Sequence, residues 1–168
     1  MSQSGFPCNG PIIQNANTFA NSLAAANQSE RTHSAVQTYT TGADATVLFD
    51  TNTQSQGNIN SILSYNSTTG VFTNISGRLY LAIISYQIAW SNVQTTGFRI
   101  AYIARNNANN RFGQSNIVAS GDYTTNNGTA MFPVANGETF WIACYSNVNT
   151  SHNFLATKAE NRIQITLL

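Results

Sequence analysis

Reactive and metal-ligating side chains are few in this chain and lie far apart in the sequence. They include two histidines, His33 and His152, and two cysteines, Cys8 and Cys144. The carboxylates form no close pair; they are Glu30, Asp44, Asp50, Asp122, Glu138 and Glu160. The sequence contains no nucleophile elbow, no His-Glu-x-x-His motif and no phosphate-binding glycine loop. We therefore predict a protein that is not an enzyme and that holds no catalytic site, metal or cofactor.

Charge and composition exclude further classes. Charged residues are only 8% of the chain and the net charge is +1, with the arginines scattered along the sequence. A nucleic-acid partner needs a basic surface, so none is expected, and residues 1–29 lack the basic arm of a genome-packaging coat protein. Hydrophobic residues are 42% of the chain and occur in periodic runs, which argues for a packed domain rather than a disordered one.

Two cysteines are too few for a disulfide framework. Cys144 lies in an apolar run and is expected to be a small buried hydrophobe. Cys8 lies in a segment rich in Pro, Gly and Asn and is expected to be exposed, and a bridge between the two is left open.

The secondary structure predicted around these side chains consists almost entirely of strands. Residues 1–31 are interpreted as a leader or anchoring arm, and residues 32–168 as one β-domain. Apolar and polar residues alternate, with turn residues at short intervals, and this pattern predicts an antiparallel sandwich. The predicted strands are residues 34–39, 46–49, 59–65, 71–75, 79–90, 98–105, 117–124, 130–134, 139–147 and 162–168.

Residues 65–80 are the most informative stretch, and they read YNSTTGVFTNISGRLY. Gly70 and Gly77 stand where hairpin turns favour a positive φ, and residues 71–75 alternate with the period of a half-buried strand. Residues 79–90 follow as a strand expected to be buried on both faces. Their run is too short and too often interrupted by polar residues for a membrane span, so no membrane insertion is expected.

This order of motifs resembles the trimeric jelly roll shared by the globular head of complement component one-q and the tumour necrosis factor (TNF) superfamily. The similar elements are Tyr65, the run TGVFT at 69–73, the strand opening at 77–80, the aromatic strand at 139–142 and the alternating last strand at 163–168. The resemblance covers residues 32–168 and implies an all-β, TNF-like jelly roll and a homotrimer. The aromatic residues expected to fill the trimer interface are Phe72, Tyr80, Tyr86, Phe140 and Trp141.

Two polar segments, residues 105–113 and 147–153, are candidate recognition loops, because their side chains can hydrogen-bond sugars or peptides. The alternative is that they are only solvated turns. The receptor-binding candidates, for a glycan or a protein on a host surface, are Arg105, Asn109, Arg111, Asn149 and His152.

These features together suggest a non-enzymatic trimeric surface protein. We expect the head of a spike or fibre on a virion or appendage, with structural and host-attachment roles and with residues 1–31 as its particle anchor. No secretory signal peptide is expected, because the first residues have no charged start followed by an apolar core. The alternative is a complement-type soluble or spore-surface ligand or adhesion head.

Overall fold

The structure is a computed structural model, and it describes residues 27–33, 37–40, 42–90, 96–118, 124–147, 152–153 and 160–168. Strands make up nearly all of its regular structure. They are β1 Asn27–Thr32, β2 Thr38–Tyr39, β3 Ala45–Thr46, β4 Thr51–Gln56, β5 Leu63–Asn66, β6 Val71–Asn74, β7 Tyr80–Trp90, β8 Phe98–Arg105, β9 Asn107–Val118, β10 Thr124–Val134, β11 Thr139–Ser146, β12 His152–Asn153 and β13 Arg162–Leu167. A single-turn helix, α1, spans Ile59–Ile62.

The strands form two antiparallel sheets packed face to face. The five-stranded sheet has the order β10-β7-β13-β1-β4, and the six-stranded sheet contains β5-β6-β11-β8-β9 with β3 paired to β11. β12 and β2 pair only with each other and form a separate two-stranded sheet among the described residues. This arrangement confirms the predicted all-β antiparallel sandwich.

Successive side chains along each strand point to opposite faces of the sheet, and one face of each sheet lies in the core. On β7 the buried side chains are Ala82, Ile84, Tyr86, Ile88 and Trp90, which follow a period of two. The opposite face of β7 carries half-buried residues and Leu81, which is 38% exposed. The expectation that this strand is buried on both faces is therefore wrong for most of its length, since the second face is only partly covered.

The apolar strands were predicted closely. Residues 98–105 form β8 as expected, and β6, β7, β11 and β13 lie within one residue of their predicted bounds. Residues 59–65 differ, because their first four residues form α1, which buries Ile59 and Ile62. The strand begins only at Leu63.

The first described strand changes the boundary of the predicted arm. Residues 27–31 pair with β13 on one side and β4 on the other, so they lie inside the five-stranded sheet. The boundary at residue 31 is corrected accordingly. Residues 1–26 and Cys8 lie outside the described residues, and the anchoring role of this segment stays a prediction.

Buried asparagines secure the ends of the strands. The Asn74 amide nitrogen donates to the carbonyl oxygens of Arg78 at 2.8 Å and Val134 at 2.9 Å, tying two turns together. The Trp90 indole nitrogen donates to the Asn126 side-chain oxygen at 2.8 Å. These bonds satisfy amides that would otherwise be costly to bury. Within the described ranges, the structure contains no helix long and apolar enough to span a membrane.

Candidate functional site

Two of the predicted interface residues belong to the core of the single chain. Phe72 and Phe140 lie opposite each other on β6 and β11, with their rings stacked at 5.1 Å and 7° between planes. They are 1% and 0% exposed. Their side chains are unavailable to another copy of the chain, so the interface prediction is corrected for both.

The assignment of Tyr86 to the trimer interface is also corrected. Its side chain is 4% exposed, and its hydroxyl lies 2.6 Å from the Ala101 carbonyl oxygen and 2.8 Å from that of Gly113. Burial raises the pKa of Tyr86, which fits a role as a neutral donor that links the two sheets. Tyr80, by contrast, is half-buried at the start of β7, and its place in an interface stays a prediction.

Trp141 lies on the opposite face of β11 from Phe140. The pairing of β6 with β11 places Phe72 and Trp141 on neighbouring strands, but the indole points away from the core. It packs with Tyr102, Ala104 and Ala143 in a small cluster on the outer face of the six-stranded sheet.

The segment 105–113 is not a loop. The chain turns tightly at Asn106, whose φ is 60°, and continues directly into β9, which pairs with β8. The Arg105 guanidinium binds the Glu138 carboxylate at 2.8 Å, and its side chain is only 20% exposed. Arg105 is therefore a structural residue, and its assignment to a recognition loop is corrected.

The remaining recognition candidates lie in different places. Asn109 is exposed on β9, and Arg111 points to the outer face of the same sheet. Asn149 lies outside the described residues, and of His152 only the pairing with Tyr39 between β12 and β2 is described. A recognition role for Asn109, Asn149 and His152 stays a prediction.

Sequence reasoning missed an apolar surface on the five-stranded sheet. Leu81 lies beside Leu168 and opposite Pro133, while Ile83 lies opposite Met131, so these side chains adjoin on the outer face. Leu79 is 66% and Met131 63% exposed. We call this surface the assembly patch, consisting of Leu79, Leu81, Ile83, Met131, Pro133 and Leu168. The sequence does carry a sign of this surface, because apolar residues occupy both alternating sets of positions in residues 79–83.

The rest of that face is polar and carries shallow depressions. One has a volume of about 380 Å³, and its polar lining includes Ser85, Gln87, Asn127, Arg162 and Gln164. Its amides and hydroxyls can donate and accept hydrogen bonds, and its described lining contains no His, Cys, Asp or Glu.

A groove of about 330 Å³ lies on the outer face of the other sheet. We call it the Trp141 groove; its lining is Asp44, Ala45, Thr46, Thr69, Val71, Tyr102, Ala108, Trp141 and Ala143. A second depression of about 440 Å³ shares Asp44, Ala45, Thr46 and Thr69 with it and extends toward Thr40 and Thr68. The two form one continuous surface with an aromatic end and a hydroxyl-rich end.

Charge in the groove is balanced. The Arg111 guanidinium binds the Asp44 carboxylate at 3.1 Å and lies 4.2 Å above the centre of the Tyr102 ring. Both ionic side chains are about one-third exposed, so the ion pair itself contributes little stability.

The Tyr102 hydroxyl stands out at the bottom of the groove. The residue is 0% exposed, and its hydroxyl oxygen has no hydrogen-bond partner of normal geometry among the described residues. Burial raises the pKa of Tyr102 to about 12, and the nearby Asp44 carboxylate adds to the shift. The hydroxyl is enclosed by protein, and the Asp44 side chain acts on it both by its charge and as a hydrogen-bonding group.

The described His, Cys, Asp and Glu side chains are dispersed. Over the described part of the chain, no three His, Cys, Asp or Glu side chains come together as a metal site. Cys144 is buried with a free thiol, and burial raises its pKa, as expected for a small core residue rather than a nucleophile.

Comparison with known proteins supports the fold. No protein-family model matches the chain, and no curated protein matches it. The crystal structure of murine APRIL at pH 8.0 matches with a TM-score of 0.65 and 8% identity, over 85% of this chain and 99% of that one. Eiger TNF from S. frugiperda matches with a TM-score of 0.62 and 9% identity, over 86% of this chain and 93% of that one. At such identities the likeness concerns the fold alone, and the fold of this chain is a TNF-like jelly roll.

Proposed function

We propose that this protein is a non-enzymatic, homotrimeric surface protein that assembles through the outer face of its five-stranded sheet and recognises a receptor with surfaces left outside the trimer. The observation that carries the proposal is the assembly patch. Single exposed apolar residues are common, but a contiguous patch on an uncovered sheet face marks an interaction surface. The TNF-like fold, whose resemblance implies a trimer, favours a second and third copy as its occupants.

The patch is suited to the centre of such a contact. Leu79, Leu81 and Met131 are large, unbranched or γ-branched side chains without charge, and the polar face beside them can form a hydrogen-bonded rim. Stable interfaces combine an apolar centre with a polar border in this way. The aromatic residues expected there are replaced by aliphatic ones, since even Tyr80 lies on the core-facing side of β7 and packs against the core.

The particle setting is part of the proposal. We assign the protein to the surface of a virion or appendage, as a spike or fibre head anchored by its N-terminal segment. Its low content of charge and its many neutral amides and hydroxyls support a surface that is insensitive to salt. Detection of the protein on purified particles by a specific antibody would support this assignment, and its presence only as a secreted soluble protein would contradict it.

Sedimentation tests the trimer directly. We expect the wild type to sediment at three times the chain mass of 18.2 kDa at micromolar concentration. Leu81→Gln combined with Met131→Gln should shift the protein toward the monomer, because both changes place amides at the apolar centre. Val118→Gln is the matched control, since Val118 is 72% exposed but lies at the end of β9, on the other sheet. A wild type that sediments as a stable monomer would refute the proposed assembly.

A further inference from the structure

We propose that the Trp141 groove binds a neutral carbohydrate, with one sugar ring stacked on the indole and the chain of sugars continuing toward Thr40 and Thr68. This inference rests on the proposed recognition function and names its ligand class and its site.

The indole is accessible because its neighbours are small. Trp141 lies opposite Ala104 on β8, and Ala143 follows two residues later on the same face of β11. Ala108 forms the rim on the side of β9. Larger side chains at these positions would cover the ring, so the three alanines leave an aromatic surface open beside a depression. The face of an aromatic ring is negative and attracts the polarised C–H groups on one side of a sugar ring.

Hydroxyl groups and an ion pair border this aromatic surface. Thr46 and Thr69 line both depressions, and the Asp44 carboxylate with the Arg111 guanidinium provides an acceptor beside a fork of donors. Neighbouring hydroxyls of a sugar can donate to the first and accept from the second. Because the two charges are paired, the groove offers no net charge to an ionic ligand, which favours a neutral one.

Tyr102 forms the floor of the groove beneath this surface. Its hydroxyl is buried at the bottom of the groove and has no hydrogen-bond partner of normal geometry in the described chain. Because the hydroxyl is enclosed by protein beside the Asp44 carboxylate, it shapes the floor of the groove and does not contact a bound sugar. The open depression next to Thr40 and Thr68 gives room for further sugar units.

Titration of the full chain with a panel of neutral oligosaccharides tests the proposal. The panel contains tri- and tetrasaccharides of glucose, galactose, mannose, fucose and N-acetylglucosamine, with a sulfated tetrasaccharide for contrast. Trp90 is fully buried, so the fluorescence change reports mainly on Trp141. We expect at least one neutral member to bind saturably with a dissociation constant on the order of 1 mM or lower.

Three variants separate stacking from folding. Trp141→Ala should weaken binding about tenfold or more, a factor that corresponds to about 1.4 kcal/mol, with binding followed by calorimetry because the reporter is lost. Ala108→Phe should block the groove from its exposed rim with an unchanged melting temperature. Tyr145→Ala is the matched control, because Tyr145 is half-buried on the same sheet face but stacks on Phe98 outside the groove. It should bind like the wild type.

The proposal is overturned if no neutral saccharide binds saturably, if only the sulfated probe binds, or if Ala108→Phe binds as tightly as the wild type. Recognition of a receptor that is unaffected by removal of its glycans would also overturn it. Failure here with an intact trimer leaves the assembly proposal standing. A monomeric protein that binds the sugar would refute the assembly and support the groove.

Discussion

The stacked pair Phe72 and Phe140 gives the sharpest test of the register between β6 and β11. We consider Phe72→Ala, Phe140→Ala and the double variant as a cycle. The two rings lie parallel at 5.1 Å, and Phe72 also contacts the Tyr65 ring at 4.5 Å. Both side chains are almost completely buried, so the space left by either truncation cannot fill with solvent.

The expected loss in the free energy of unfolding follows from the burial of each ring and from the contact between the two rings. Each truncation of a buried Phe should lower the free energy of unfolding by about 3–5 kcal/mol. For a domain of this size that corresponds to a fall in melting temperature of about 6–20 °C, at about 2–4 °C for each kcal/mol. The stacked contact adds a coupling of about 0.5–1.5 kcal/mol, so the cost of the double variant should be smaller than the sum of the single costs.

Urea unfolding followed by circular dichroism, at one fixed protein concentration, measures all four proteins. The concentration must be constant because self-association, where it occurs, would add stability to the folded state. Phe72→Leu, which keeps most of the volume, should cost less than about 1.5 kcal/mol. Val118→Ala, on an exposed side chain, should change stability by no more than about 0.5 kcal/mol. A cost of Phe72→Ala below about 1 kcal/mol, or strict additivity, would refute the register.

Two further predictions concern the backbone and pH. Gly128→Ala should destabilise the protein by at least about 3 kcal/mol, because a Cβ there would lie 2.1 Å from the Gly113 carbonyl oxygen and 2.5 Å from the Tyr86 ring. Gly137→Ala should cost only about 1–2 kcal/mol, because the space around it is open and only its φ of +81° is unfavourable. Equal melting temperatures of the two variants would contradict this prediction. The Glu138 pKa lies below its usual 4.5 because the carboxylate accepts from the Ala135 backbone N–H and from Arg105, so its stabilising effect is complete above 4.5 and is lost as pH falls through the lower folded value. Glu138→Gln should therefore show a shallower loss of stability than the wild type below pH 4.5 in urea titrations, and equal slopes would count against the argument.

The sequence predicted those strands whose apolar residues repeat with a period of two. β6 and β13 are examples, because burial of one face requires that repeat and a slip of one residue would expose it. β7 was predicted instead from its nearly continuous apolar run. β1 and β4 were missed, since NQSERT and TNTQSQ contain no apolar alternation. β1 is a strand because its backbone pairs with β13 and β4, and such pairing leaves no mark on the side chains.

The choice between core and surface aromatics was beyond the sequence for a related reason. Both faces of β11 carry apolar residues, with Phe140 and Ile142 on one and Trp141 and Tyr145 on the other. Parity shows that the two sets point apart but not which set faces the core. The pairing of Phe140 with Phe72 decides it, and that contact joins residues 68 positions apart.

The two proposed surfaces lie on opposite sheets, and this placement links assembly to recognition. A trimer that covers the assembly patch would leave the Trp141 groove facing outward on each copy. A groove that stacks one sugar ring and pairs few charges binds weakly on its own, because polar contacts at a surface yield little net affinity. Three such grooves held together in one trimer would raise the apparent affinity by about 10²–10⁴ for a surface that presents several glycans at a matching spacing. Dissociation of the trimer should then abolish attachment to a glycan-coated surface while leaving the affinity for a single soluble oligosaccharide unchanged, and a parallel loss of both would show that the groove depends on a neighbouring copy.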